Sequence, residues 1–206
     1  MNMPVTITED NAEHYFRLEL LVADAPVEVF RCTVPEYAAY LREEAFRAQT
    51  DHVATTWLLR EEVDGEIAAY MSLVADAVRL SNAEKELHKL RYPFKTIPAM
   101  KIAKLAVGEM SRHRYCGIGT HLIYQAGQIA RYNINPYCAA RFLTVDADIE
   151  HDAGVLAFYQ KNGFVPNIEF SGKHRKTISM RLDLYRQPVH TLSSTGNSVH
   201  LPNSFM

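Results

Sequence analysis

Two hydrophobic periods divide most of the chain between them. In residues 33–49, Tyr37, Tyr40, Leu41 and Ala45 recur at helical spacing. Thr33 stands where an N-cap is wanted, Pro35 suits a first turn, and Glu36 follows three residues after the cap. This predicts a helix. Residues 53–60 (VATTWLLR) and 67–75 (IAAYMSLVA) are rich in β-branched and aromatic side chains. Asp64-Gly65 between them is a hairpin signal, so an antiparallel pair is expected. Residues 82–98 are charged and end in two prolines, which fits a short helix or a long loop. Residues 100–107 (MKIAKLAV) alternate only partially, as a central strand covered on both faces does.

A second helix is expected over residues 117–131, with Ile118, Leu122, Ala126, Ile129 and Ala130 on one face. A strand follows at 141–147, then a short helix at 152–162 with Gly163 as its natural stop. Residues 164–166 begin another strand. In residues 176–185, Ile178, Met180, Leu182 and Leu184 share one face of a half-buried strand. From residue 186 the chain is rich in Ser, Asn and Pro, lacks acidic residues and has no period, so it reads as a tail.

Composition narrows the function classes. The 206 residues fit one domain, and 48% hydrophobic with 22% charged residues is ordinary for a globular chain. The net charge of -2 gives no sign of a globally basic nucleic-acid binder. Cys32, Cys116 and Cys138 are odd in number and without CxxC spacing, which points away from a disulfide framework or a zinc cluster. The expectation is therefore no metal site. The opening MNMPVTITED has neither the basic start nor the apolar stretch of a signal peptide. No apolar run reaches membrane-spanning length, so a cytoplasmic protein without membrane contact is expected.

The stretch 105–120 (LAVGEMSRHRYCGIGT) carries the chemistry. A strand enters a short basic turn, then Gly117-Ile118-Gly119, then a helix start. Glycines allow a ligand to approach the backbone, and free amides at a helix N-terminus suit an anionic phosphate. Arg112 and Arg114 add positive charge. A dinucleotide fingerprint would need glycine where Leu122 stands, and a P-loop would need Gly-Lys-Ser/Thr. What remains is R-x-x-G-x-G from Arg114 to Gly119. The same hexapeptide also suits a tight glycine turn before a packing helix. Some forty residues later stands Tyr159-Gln-Lys161-Asn-Gly163-Phe164.

Together these two elements, with a strand between them, resemble the GNAT superfamily of acetyl-CoA-dependent N-acetyltransferases. Arg114, Gly117 and Gly119 match its pyrophosphate loop, and Tyr159, Lys161, Gly163 and Phe164 its helix-to-strand element. The resemblance covers about residues 33–185. It implies an α+β fold, a mixed and mostly antiparallel sheet flanked by helices, with one N-acetyltransferase domain over residues 1–185 and a tail over 186–206. It also implies acetyl-CoA as cosubstrate. The backbone of Leu105, Ala106 and Val107 would pair with pantetheine. Arg112, Arg114 and the loop Tyr115, Cys116, Gly117, Ile118, Gly119 and Thr120 would hold the pyrophosphate. Tyr159 would act as general acid to the departing thiolate. The acceptor would be a primary amine. Asp152 stands where many members have Asn and is given no contact. No dedicated general base is visible; Glu109, near the strand end, is a candidate and also reads as a solvated surface carboxylate.

A narrower resemblance joins several short stretches: Phe30 to Cys32, Thr56 to Leu59, Ala69 to Leu73, Ile97-Pro98, Lys104 to Val107, and Val145 to Ala147. These look like the acetyltransferase toxins of toxin–antitoxin pairs, although Ala69 stands where those proteins usually have Gly. That branch implies aminoacyl-tRNA as acceptor and an antitoxin as partner; small acetyltransferases of this type also imply a homodimer. An inert CoA-binding module is the third reading. The charge distribution bears on the choice. From Lys85 to Arg114 eight basic residues face two acidic ones, a local +6, so the rest of the chain carries -8. With Lys173-His174-Arg175-Lys176 as a second cluster, such patches can hold RNA phosphates.

Overall fold

The structure, a computed structural model, describes residues 3–167 and 176–185. The element order is β1 (Val5–Thr6), β2 (Phe16–Leu20), α1 (Pro35–Glu43), α2 (Ala45–Thr50), β3 (Thr55–Glu61), β4 (Ile67–Arg79), α3 (Asn82–Leu87), β5 (Thr96–Val107), α4 (Glu109–Arg114), β6 (Tyr115–Cys116), α5 (Ile118–Gln128), β7 (Phe142–Asp148), α6 (Val155–Lys161), β8 (Val165–Pro166) and β9 (Thr177–Asp183). Seven strands form one sheet in the order β2-β3-β4-β5-β7-β9-β8, in which only β5 and β7 run parallel. The expected α+β architecture is present.

Alternation along the strands builds two cores, one on each face. Leu58 and Tyr70 point to the face covered by α1 and α2, where Phe30, Ala38, Leu41 and Ala45 complete the layer. Leu59, Ala69 and Met71 point to the opposite face, beneath Leu122, Ala126 and Ala130 from α5 and its continuation and Tyr159 from α6. A sheet covered on both faces needs apolar residues of both parities, and β4 is buried at every position from Ile67 to Leu73.

The partial alternation of β5 has a specific cause. Ser72 pairs with Lys104, but Leu73 pairs with Ile102, so Ala103 is an extra residue, a β-bulge. The bulge reverses the side-chain phase. Ile102 before it and Leu105 and Val107 after it therefore reach the same core, although their numbers differ in parity. A bulge also bends and twists its strand. Pairing of β5 with β7 ends at Ile102↔Val145, at the bulge, although β5 runs on to Val107 and β7 to Asp148. Beyond that point the two parallel neighbours diverge, leaving a gap in the middle of the sheet.

Several expectations change in detail. The helix expected over residues 33–49 breaks at Glu44 into α1 and α2, and Thr33 does not cap it: Val34 holds the N-cap position, without a side-chain hydrogen bond. The basic turn after β5 is a helical turn, α4, and the helix after Gly117 widens at its end into a π-helical turn over Ile129–Ile134. Residues before 30 contribute an edge strand, β2, paired with β3. In residues 82–98 the short helix is α3, opened by a capping box in which the Ser81 side chain accepts from Glu84 N–H and the Glu84 carboxylate accepts from Ser81 N–H. No helix among the described residues is long and apolar enough to cross a membrane. The expected tail and Lys173-His174-Arg175 lie outside the described residues.

Candidate active site

The gap between β5 and β7 opens into a cavity of about 310 Å³. One wall is the end of β5, Leu105 to Val107; another is Gly117, Ile118 and Gly119 at the start of α5; a third is Phe158 and Tyr159 on α6. Beyond Ile102, the backbone groups of β5 that face away from β4 have no strand partner among the described residues. Gly117 sets the entry to α5. Its φ of +97° is left-handed, and a Cβ there would sit 2.7 Å from the Ile7 carbonyl oxygen. The first amides of α5 are thereby left open, with the positive end of an eleven-residue helix behind them. Unpaired strand groups that can meet amides, beside helix-start amides that can meet a phosphate, fit the two ends of acetyl-CoA.

Gly117→Ala tests this geometry. The forced left-handed φ costs about 1–3 kcal/mol, so the thermal midpoint should fall by about 2–12 °C. The displaced helix start should raise the Kd for CoA about tenfold, read by calorimetric titration.

Eight of the eleven expected cofactor contacts line this cavity: Leu105, Ala106, Val107, Arg112, Tyr115, Gly117, Ile118 and Gly119. Three do not. Arg114 is turned onto the β3–β4 hairpin, where it meets Glu61 Oε2 at 2.9 Å, Glu66 Oε2 at 2.9 Å and Asp64 Oδ2 at 3.6 Å. Glu61, only 1% exposed, also accepts from Ser111 Oγ and Tyr115 Oη. Arg114 thus anchors the loop from behind. Cys116 is held by the N-terminal segment, its carbonyl accepting from Ile7 N–H at 2.8 Å beside the parallel β1–β6 ladder. Thr120 faces elsewhere, although its amide belongs to the first turn of α5. Glu109 also points away, lining a separate depression with Arg31 and Arg42.

Tyr159 is 6% exposed, its ring wedged edge-on between Phe158 and Phe164. Burial pushes its phenol well above the ordinary tyrosine value, so it stays protonated. Among the described residues its hydroxyl has no hydrogen-bond partner, and it lines the cavity. A hydroxyl that opens onto a cavity and meets no partner among the described residues is free to serve a ligand.

Across the mouth lies a group that sequence reasoning missed. Asp148 ends β7. Its Oδ2 accepts from Tyr37 Oη at 2.9 Å and faces His151 Nδ1 at 2.8 Å. Tyr37 itself is pinned, its carbonyl accepting from Tyr70 Oη at 2.7 Å and its ring lying 4.7 Å from Lys104 Nζ. Burial, then the Asp148 carboxylate, pushes the Tyr37 phenol up. Burial alone would raise the Asp148 carboxyl, but the hydrogen bonds from Tyr37 and His151 outweigh it and hold that group below the usual range. Asp148, Glu150 and His151 have donor atoms within 4.8 Å of one another. Their pairing is internal, since Asp148 and His151 face each other and Lys176 Nζ holds Glu150 at 2.9 Å.

No protein-family model and no curated protein sequence matches the chain. Solved structures do. AtaT complexed with acetyl-methionyl-tRNAfMet is 19% identical with a TM-score of 0.65, over 80% of this chain and 93% of that one. AtaTR bound with AcCoA is 18% identical with a TM-score of 0.62, over 82% and 94%. A tyrosine-to-phenylalanine mutant of KacT is 15% identical with a TM-score of 0.64, over 81% and 95%. The chain has the GNAT fold. Within it, β1 and β2 are part of the same architecture, and β1 braces the loop before α5. Their signal was faint: β1 is two residues long, and β2 (FRLEL) alternates over only five.

Proposed function

We propose that the protein transfers an acetyl group from acetyl-CoA to a primary amine by direct attack. The observation that carries this reading is the Tyr159 hydroxyl, which meets no hydrogen-bond partner among the described residues and lines the cavity where β5 parts from β7. When bound, acetyl-CoA supplies the thioester. The free backbone of Leu105 to Val107 pairs with pantetheine amides, and the opening amides of α5 with Arg112 hold the pyrophosphate. Tyr159 donates to the departing sulfur. A thiolate of conjugate pKa ~8.5 in water is stabilised by such a donor. Burial raises both the phenol and the thiol, so their difference in proton affinity is partly preserved inside the cavity.

A second reading, in which the acceptor is the α-amine of aminoacyl-tRNA, is favoured by one surface. Lys89, Arg91 and Lys95 surround Tyr92 and Phe94, which are 59% and 61% exposed and stack at 14° with centroids 6.1 Å apart. Exposed rings amid cations suit unpaired bases and phosphates. The rest of the basic stretch is mostly engaged within the protein: Lys101 with Asp146, Lys104 over Tyr37 and Tyr40, Arg114 with three carboxylates. Under this reading the partners include an antitoxin, as in AtaT bound to the C-terminus of AtaR, and a second copy of the chain.

The test is release of CoA thiol from acetyl-CoA with a panel of amines and with charged tRNA in parallel. Turnover with tRNA alone establishes the second reading and turnover with small amines the first. CoA binding without turnover on any acceptor sinks both in favour of an inert module.

A further inference from the structure

We infer that His151 and Asp148 form the general base for the acceptor, with Tyr37 as the group that positions Asp148. This rests on the acetyl-transfer reading and adds to it a proton acceptor. Asp148 is built as the hub. Its Oδ1 accepts from the backbone N–H of Glu150 at 3.2 Å and of His151 at 3.3 Å, which holds the turn after β7. Its Oδ2 faces His151 Nδ1 and takes the Tyr37 hydroxyl. A carboxylate on Nδ1 fixes the tautomer that leaves Nε2 bare and steadies the imidazolium once formed. The His151 side chain is 38% exposed, against 18% for Asp148, so the ring is accessible while its partner is covered. His151, Asp148, Tyr37 and Tyr159 all line the one cavity, so an acid and a base face the same space.

The proton balance is simple. His151 Nε2 takes one proton from the acceptor's ammonium, and the neutral nitrogen then forms the C–N bond. A second proton leaves that nitrogen for solvent as the C–S bond breaks, and Tyr159 supplies the proton to sulfur and is reprotonated from solvent. One proton is released overall. The charged and titratable groups around the ring are Asp148 and Glu150 from its own turn, Lys176 before β9, and Tyr37 from α1. Arg112, Asp152 and Tyr159 line the same cavity.

Two measurements decide. The first is kcat/KM against pH for wild type and His151→Gln, with an acceptor of known pKa (~8 for an α-amine). Below that pKa the variant should depend on the shrinking neutral fraction. The wild-type advantage should then widen towards about tenfold per pH unit, and Asp148→Asn should follow the same trend. A ratio constant with pH, in an enzyme that turns over, overturns the base and leaves acetyl transfer standing. The second is the nitrogen NMR signature of the His151 ring in the free protein, assigned through His151→Gln. It should show Nδ1 protonated and Nε2 bare, and Asp148→Asn should lose that bias. The opposite tautomer in wild type overturns the inference without reference to turnover. The expected tautomer in a protein that acetylates no acceptor would overturn acetyl transfer, and the base with it.

Discussion

Tyr159→Phe is expected to lower kcat by about 10²- to 10³-fold, with the Kd for acetyl-CoA changed less than about twofold. The substitution removes one oxygen and keeps the ring that Phe158 and Phe164 grip. No partner of that oxygen among the described residues is left stranded, so the stability cost is small. The lost interaction is one that strengthens only as negative charge gathers on sulfur, and such an interaction moves kcat rather than binding. Burial works in two directions. It makes the phenol a weaker acid than in water, and it makes a thiolate without a donor more costly in the same space. The second effect sets the magnitude, because the charge appears where water is scarce. The sign of the pH effect follows from the raised phenol. Tyr159 keeps its proton below pH ~10, so no loss of rate between pH 7 and 9 arises from it. A kcat reduced less than threefold, or a loss matched by an equal rise in Kd, would remove Tyr159 from the chemistry.

How far the residues alone carried the reading depends on the range of the signal. Gly117, Gly119, Tyr159 and Gly163 are conspicuous because local backbone demands select them: two of the glycines have left-handed φ, and Gly119 faces the Phe158 ring closely, its Cβ position 3.0 Å from it. The hairpin and the main strands follow from period and turn chemistry. The bulge at Ala103 was visible only as spoiled alternation, which a strand covered on both faces produces equally well. Arg114 shows a different limit. Charge beside a phosphate loop suggests a ligand contact, yet Glu61, Asp64 and Glu66 lie 48 to 53 residues back in the chain, and only the folded hairpin brings them to the guanidinium. The Tyr37–Asp148–His151 group has the same character, since Tyr37 and Asp148 are 111 residues apart. Long-range polar contacts leave no periodic trace, whereas burial does.

The largest effect on stability is expected at another such contact. Arg181 on β9 meets Glu84 on α3 at 2.6 Å, with the two side chains 4% and 8% exposed. The same guanidinium donates to Asn167 Oδ1 at 2.7 Å, and Glu84 also accepts from Ser81 N–H and Oγ. One cation therefore ties α3 to the strands at the far side of the sheet. Arg181→Met leaves a buried carboxylate without its counter-charge and should cost about 3–5 kcal/mol, read as a lower urea midpoint or a thermal midpoint down by about 6–20 °C. Removing both partners together, as in Glu84→Leu with Arg181→Met, should cost well under the sum of the single losses, because no charge is then stranded. Acid should reveal the same pair. Burial pushes the Glu84 carboxyl up, but the Ser81 hydrogen bonds and Arg181 outweigh it, so its folded value lies below the ordinary one. A carboxyl depressed on folding stabilises above its unfolded value, about 4.3 for Glu, and that contribution is lost as pH falls through the folded value. Wild-type stability should thus decline below pH ~4.5, and Arg181→Met should decline less steeply, having already lost part of the depression. Neither Arg181 nor Glu84 lines the cavity. The variant should bind CoA normally at temperatures where it stays folded, and a weakened affinity there would mean that the sheet transmits strain from α3 to the gap between β5 and β7.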